Sequence, residues 1–231
     1  IHTIHTIPTN NTTNPGNTVP VAEEDQFSHL NPMQSQWKAS SLPTSRLSDF
    51  IEIIVKTRLK RCNFSAECCN SITIRMVSNC DQQIEIPSAL SENLATADGY
   101  RLSNCLPYRQ KCILLFQEID GVDICLFCLY VQEFDSNCPA PNTSRVYIAY
   151  IDSVEYFRPM EARTIVYHEI MVAYLQWAQA RRFKYANIWS CPPQRGDNFI
   201  FWCHPHHQRT PSRDRLNAWY KAILTRCMEL G

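Results

Sequence analysis

The spacing of apolar residues shifts along the chain, and each shift predicts a different element. Residues 1 to about 40 keep neither a period of 2 nor one of 3.6; Thr, Asn, Pro and Ser dominate, and an IHT triplet occurs twice at the start. This stretch, 1–40, is predicted to be a disordered linker. From Leu42 the character changes. Leu47, Phe50, Ile51, Ile54, Val55 and Leu59 fall at helical spacing, and Lys60 and Arg61 follow at the end where the helix dipole favours cations. Residues 70–76 and 83–87 predict strands. The apolar, β-rich runs 112–119 and 122–132 flank Asp120-Gly121, a strong hairpin signal. A further strand, 144–151, ends in Asp152-Ser153. Pro159 precedes a predicted helix from Met160 to Arg182 whose face carries Ile165, Val166, Ile170, Ala173, Tyr174 and Trp177. A buried strand at 186–190, a long irregular segment and a last helix from about Arg213 complete the order. Strands and helices mixed in this way predict an α/β (α+β) layered fold.

The segment from Trp189 to Tyr220 is too long for an ordinary connection. It is also too rich in Trp, Phe, Cys and Pro to read as disordered.

Composition narrows the possibilities. The 231 residues suffice for one large domain or one domain with a tail, and 45% hydrophobic residues support a sizeable core. A formal net charge of +0 argues against a strongly basic nucleic-acid binder. Twelve cysteines would suit a disulfide scaffold only in a short secreted chain, and no signal peptide is visible, so reduced thiols in nucleus or cytosol are expected. The chain starts at Ile1 rather than Met and reads as a piece of a longer protein. No apolar run approaches the ~18 residues of a membrane span.

Three clusters carry candidate chemistry. Asp152 and Ser153 end a predicted strand, and Arg163 and Thr164 lie in the predicted first turn of the next helix. A guanidinium, a hydroxyl and unpaired amides at a helix N-terminus can cradle a phosphate or pyrophosphate. An ordinary capped helix with a solvated arginine has the same spacing, and no GxGxxG or Walker motif decides for a nucleotide. Cys191, Cys203, His204, His206 and His207 form a second cluster. It lacks the second ligand pair that structural zinc needs. Cys125-x-x-Cys128 lies within a strand run, where alternation places the two thiols on opposite faces. No metal site is predicted. The Trp219-Tyr220 pair is the third. Its indole could wall an apolar channel, and a phenol of pKa about 10 stays protonated at neutral pH as a proton donor. On spacing alone, helix packing is the better explanation of the pair.

Read together, the motifs resemble the histone acetyltransferase domain of the CREB-binding-protein family. They run PYRQK at 107–111, EIDGVDICLF at 118–127, VQEFDSNCPAPNTSRVYIAYIDS at 131–153, FRP at 157–159 and ARTIVYHEI at 162–170. IWSCPP at 188–193, GDNFIFWCHP at 196–205 and RLNAWYK at 215–221 follow in the same order. The resemblance covers about 41–231, which it implies is the N-terminal and central part of such a domain, the family's own domain continuing past the position of Gly231. It implies an acetyltransferase-like fold: a mixed central sheet flanked by helices, with a long cofactor-wrapping substrate loop.

Carried over by position, the resemblance implies that Ile151, Asp152 and Ser153 border the acetyl-CoA and lysine channel. Arg163 and Thr164 would hold coenzyme A phosphates, Trp189 and Cys191 line the acetyl end, and His204, Gln208 and Arg215 support or contact the cofactor. Trp219 would shape the lysine tunnel and Tyr220 act as general acid. Gln194, Arg195 and Asn198 stand where the family is more acidic, Thr210 where it is usually aliphatic, and Gln110 where it has a small hydroxyl residue. The implied activity is histone lysine N-acetyltransferase, with acetyl-CoA as cosubstrate and a role as nuclear transcriptional coactivator. Implied partners are histone tails, other lysine-bearing proteins and transcription factors, with no direct nucleic acid and no membrane. The alternatives are an inactive acetyl-CoA-binding or protein-interaction scaffold, and a zinc-dependent module built on Cys203 to His207.

Overall fold

The computed structural model describes residues 38–93, 103–192, 194, 200, 201 and 204–230. Nearly all of the predicted linker lies outside them. Its last residues are described. Lys38 pairs with Glu118 at 3.1 Å, and the Ala39 amide donates to the Asp123 carboxylate at 2.6 Å.

The first helix, α1 (Arg46–Arg61), forms where the sequence spacing predicts it. Ser45 caps its N-terminus in a reciprocal capping box with Ser48, and Arg58, Lys60 and Arg61 occupy its last turn. Leu47, Ile51, Val55 and Leu59, one helical turn apart, are buried. Two short helices, α2 (Ala66–Asn70) and α3 (Ser88–Asn93), were not legible in the apolar pattern.

Between α2 and α3 runs β1 (Ile72–Glu85), followed by β2 (Cys105–Ile119), β3 (Val122–Phe134) and β4 (Arg145–Ser153). The 21-residue helix α4 (Met160–Ala180) leads to β5 (Tyr185–Ile188), and α5 (Arg213–Leu230) is the last described helix. The sheet order is β1-β2-β3-β4-β5, antiparallel except for the parallel β4–β5 pair that α4 connects. It is the mixed sheet with helices that the sequence predicts. Asp120 and Gly121 join β2 to β3 with φ of 52° and 81°, the left-handed pair a tight hairpin turn requires. Among the described residues no helix is long and apolar enough to cross a membrane.

One sheet face carries Ile74, Leu115, Phe127, Leu129, Val131, Val146 and Ile148. They share a core with the buried stripes of α1 and α4. Within this core, Lys111 donates to Glu133, which also accepts from the Tyr174 hydroxyl at 3.2 Å.

Three sequence expectations change. The strand expected to be buried at 186–190 is β5, which ends at Ile188 and is mostly exposed, because among the described residues it pairs only with β4 at the sheet edge. The strands expected at 70–76 and 83–87 are one strand, β1, with a bulge between Met76 and Ser78. Residues past the bulge are mostly exposed, so apolar alternation marks only their far end at 83–87 and not 77–82. Backbone pairing to β2 holds them, and Arg109 makes two bonds to Asp81 at 2.8 and 3.2 Å. Cys125 and Cys128 lie on the same face, not opposite ones. Leu126 is an extra residue in β3, so Cys125 pairs with Phe116 and Cys128 with Leu114. Residues directly opposite across strands share a face, and Phe116 and Leu114 alternate in step on β2. The Cys128 sulfur lies 3.6 Å from that of Cys112, and burial pushes the Cys125 thiol up to about 11. Protonated thiols of this kind are poor nucleophiles.

Candidate active site

A bulge in β4 aims the central carboxylate. Tyr130 pairs with Tyr150 but Val131 pairs with Ile148, leaving Ala149 as the extra residue. Simple alternation would put Asp152 on the core face with Val146 and Ile148. The bulge reverses the remaining positions. Ile151 pairs with Leu129 and joins the core, whereas Asp152 pairs with Cys128 on the opposite face.

There Asp152 meets the long segment. Its Oδ2 accepts from the amides of Ile200 and Phe201, both at 3.0 Å, and its Oδ1 lies 2.7 Å from His204 Nε2. Gln208 completes the attachment. Its side-chain carbonyl accepts from the Glu155 amide at 3.1 Å, and its NH2 donates to the Ser153 carbonyl at 2.8 Å. His207 pairs with Glu155 at 2.8 Å. Asp152, Ser153, His204 and Gln208 are therefore brought together, with their polar atoms spent on tying the loop to the end of β4. Among the described residues no three His, Cys, Asp or Glu side chains converge to hold a metal.

The turn from β4 into α4 is clamped from below. The Arg158 amide donates to the Gln117 side-chain carbonyl at 2.9 Å, and the Gln117 NH2 donates back to the Arg158 carbonyl. The Tyr167 hydroxyl reaches the Leu126 and Val154 carbonyls at 3.2 and 3.3 Å. Arg163 and Thr164 are the fourth and fifth residues of α4, which starts at Met160. They stand slightly beyond the first turn in which the sequence places them. Neither side chain has a hydrogen bond or ion pair among the described residues, so guanidinium and hydroxyl remain available for an anion.

The third group centres on α5. Trp219 stands edge-on to Tyr220, with ring centroids 5.2 Å apart and planes at 75°. Burial pushes the Tyr220 phenol up to about 12, so it holds its proton throughout the neutral range. A cavity of about 330 Å3 opens beside it, lined by Leu175, Ile188, Ser190, Asn217, Tyr220 and Leu224 among others. The Ser190 hydroxyl donates to Asn217 at 2.7 Å, tying the segment after β5 that carries Trp189 and Cys191 to α5 one turn before Tyr220. Trp189 is 63% exposed, and Cys191 and Arg215 are exposed. They surround the site without being fixed in it.

Sequence reasoning missed the splints: Gln117, Tyr167, Glu155 and Asn217. Nothing in spacing marks a glutamine as a backbone clamp. His168 and Glu169 had a weak signal, as polar residues in the middle of an apolar helix.

The sequence profile of the histone acetyltransferase domain KAT3 matches residues 55–229. The chain belongs to this family. It is similar to "Protein cbp-1" of Caenorhabditis elegans, 40% identical over 198 residues, which cover 85% of this chain and 10% of that protein. It is also similar to two plant proteins. "Histone acetyltransferase HAC12" of Arabidopsis thaliana is 40% identical over 211 residues, covering 84% of this chain and 12% of that protein. "Probable histone acetyltransferase HAC-like 1" of Oryza sativa subsp. japonica is 41% identical over 211 residues, again 84% of this chain and 12% of the other. The chain thus spans roughly a tenth of the length of these KAT3-domain relatives. The matched range runs from within α1 to the end of α5 and includes all three groups of the site.

Proposed function

We propose that this chain is the catalytic part of a histone lysine acetyltransferase, moving an acetyl group from acetyl-CoA to a lysine side chain. The observation that carries the reading is Tyr220: a phenol kept protonated by burial, packed on Trp219 and lining an apolar cavity in a KAT3 domain.

In this reading Arg163 and Thr164 hold the phosphates of coenzyme A, with the loop latched at Asp152 closing over the cofactor. Ile151 and Ser153 border the channel, Trp189 and Cys191 lie at the acetyl end, and Arg215 reaches the cofactor from the start of α5. His204 and Gln208 act through the loop they fasten. Trp219 walls the lysine tunnel. Neutralising a lysine of pKa about 10.4 at pH 7 costs about 4.6 kcal/mol, and an apolar wall lowers that by disfavouring the ammonium. The neutral amine adds to the thioester carbonyl and forms the C–N bond. Collapse breaks the C–S bond, Tyr220 gives its proton to the departing thiolate, and the amine's surplus proton leaves to water. Residues 41–231 are the domain that does this. Its protein substrates are histone tails and other lysine-bearing chains, and its setting is the nucleus, as a coactivator alongside transcription factors.

The test is radiolabelled acetyl-CoA with a histone H3 tail peptide. Transfer by the chain, and its loss in Tyr220→Phe with acetyl-CoA still bound, supports the proposal. Binding without transfer in the unaltered chain marks a scaffold instead.

A further inference from the structure

Helix α4 places one polar ring against the proposed tunnel wall. His168 and Trp219 pack edge to face, with centroids 4.9 Å apart and planes at 69°. His168 Nε2 is buried, and among the described residues no hydrogen-bond partner reaches it. Its ring sits near the centre of the helix, where Glu169 is the other polar side chain beside the buried Tyr167, Ile170 and Met171. An aliphatic side chain would fill the same space without stranding a nitrogen, so packing volume alone does not call for a histidine. Two flat rings packed edge to face fix each other's tilt as well as position. Trp219 in turn stands at 75° to Tyr220. Three rings therefore step from the buried side of α4 to the phenol.

We infer that His168 is a positioning residue for acetyl transfer, setting the tilt of Trp219 and through it the lysine tunnel beside Tyr220. The inference rests on the reading of Trp219 as the tunnel wall. His168 itself touches neither substrate in this scheme. Its effect falls on turnover and on the acceptor lysine, and it leaves acetyl-CoA affinity alone, because the ring it packs on is Trp219, whereas the phosphates fall to Arg163 and Thr164 in this reading.

Leucine and phenylalanine variants separate ring from filler. In the whole chain, His168→Leu is expected to lower kcat with a histone peptide by about 10- to 100-fold, the scale of a small misplacement of reacting groups. Acetyl-CoA Kd should change less than about twofold. His168→Phe, which restores a flat ring, should recover most of the turnover. Equal turnover in the two variants overturns the inference. So does a loss of acetyl-CoA binding parallel to the loss of turnover, which would show general unfolding. A double-variant cycle adds the second check. If His168 acts through Trp219, then His168→Leu costs little more in a Trp219→Ala background. Independent, multiplying losses overturn the His168 inference and leave the tunnel intact. Unchanged turnover in Trp219→Ala overturns both. Fluorine NMR on 5-fluorotryptophan-labelled chain reads the geometry without any activity. The Trp219 resonance, assigned from Trp219→Phe, should shift and broaden in His168→Leu and stay sharp in His168→Phe. A Trp219 signal indifferent to both would again overturn the inference.

Discussion

Asp152 and His204 stand 52 positions apart in sequence and meet at 2.7 Å, with the other oxygen of the same carboxylate holding two loop amides. One side chain thus fastens a long irregular segment to the end of a strand. Asp152→Ala removes all three contacts. A charged hydrogen bond is worth about 1.5–3 kcal/mol, so the open fraction of the loop should rise by roughly 10- to 100-fold. Limited proteolysis read by mass spectrometry checks this. Cleavage should quicken between Pro192 and Gln208 while the thermal midpoint moves little, and unchanged cleavage there would show that the latch is not needed.

Arg163 carries the anion-binding expectation. Among the described residues its guanidinium has no hydrogen-bonded or ion-paired partner to release, so its charge is available to a ligand. Arg163→Ala should weaken acetyl-CoA binding by about 1.5–3 kcal/mol, with a smaller penalty at high salt. Calorimetry at low and high ionic strength is the measurement. Equal affinity in both proteins would remove Arg163 from the phosphate site.

Tyr220→Phe keeps the ring and its contact with Trp219 but not the proton. Proton donation contributes typically ~10²–10⁴-fold, so kcat should drop by that factor while acetyl-CoA affinity holds. The pH profile has a definite sign. Rate rises with pH as more of the acceptor lysine becomes neutral, toward its ordinary value of about 10.4. Because burial holds the phenol at about 12, Tyr220 adds no downturn across that climb. A descending limb near pH 8 that vanishes in Tyr220→Phe would contradict the assignment.

Lys111 and Glu133 are a buried ion pair, 7% and 5% exposed, and burial pulls the Lys111 ammonium below its usual pKa. Lys111→Met leaves Glu133 buried without its cation. Such a broken pair costs about 3–5 kcal/mol, whereas replacing both partners with apolar residues is often close to neutral. Urea unfolding should therefore show a large loss in Lys111→Met and substantial recovery in the double variant with Glu133→Leu. No recovery would mean the pair is favourable in its own right.

What could be read from the chain depended on which forces leave a trace in residue order. The buried stripes of α1 and α4, the Asp120-Gly121 turn and the order of the strands follow from periodicity and turn chemistry. Burial on one face enforces both. The stretch of β1 from Val77 to Gln82 left no trace, because backbone pairing holds a strand without selecting apolar side chains. The same limit hid the bulges at Leu126 and Ala149, which only cross-strand register reveals. For the site, motif resemblance picked out Asp152 and Ser153 as channel residues and His204 and Gln208 as cofactor supports, without saying that the two sets meet; the structure brings them into contact. It did not show that their hydrogen bonds turn toward the loop. Nor did it mark His168, whose importance depends on a ring brought in from another helix.

The extra residue in β4 has a consequence for how this stretch can vary. A strand that took Ala149 into the ladder without a bulge would alternate strictly and turn over every later position. Asp152 would then point into the aliphatic layer under α4, and Ile151 would point away from it, whereas deleting Ala149 would close the bulge and leave both on their present faces. A neighbour of similar size in place of Ala149 changes nothing of the kind. From Arg145 to Ser153 the site is thus guarded by register against β3 more than by composition, and a slip of one residue against that strand would uncouple the loop as surely as removing the carboxylate itself.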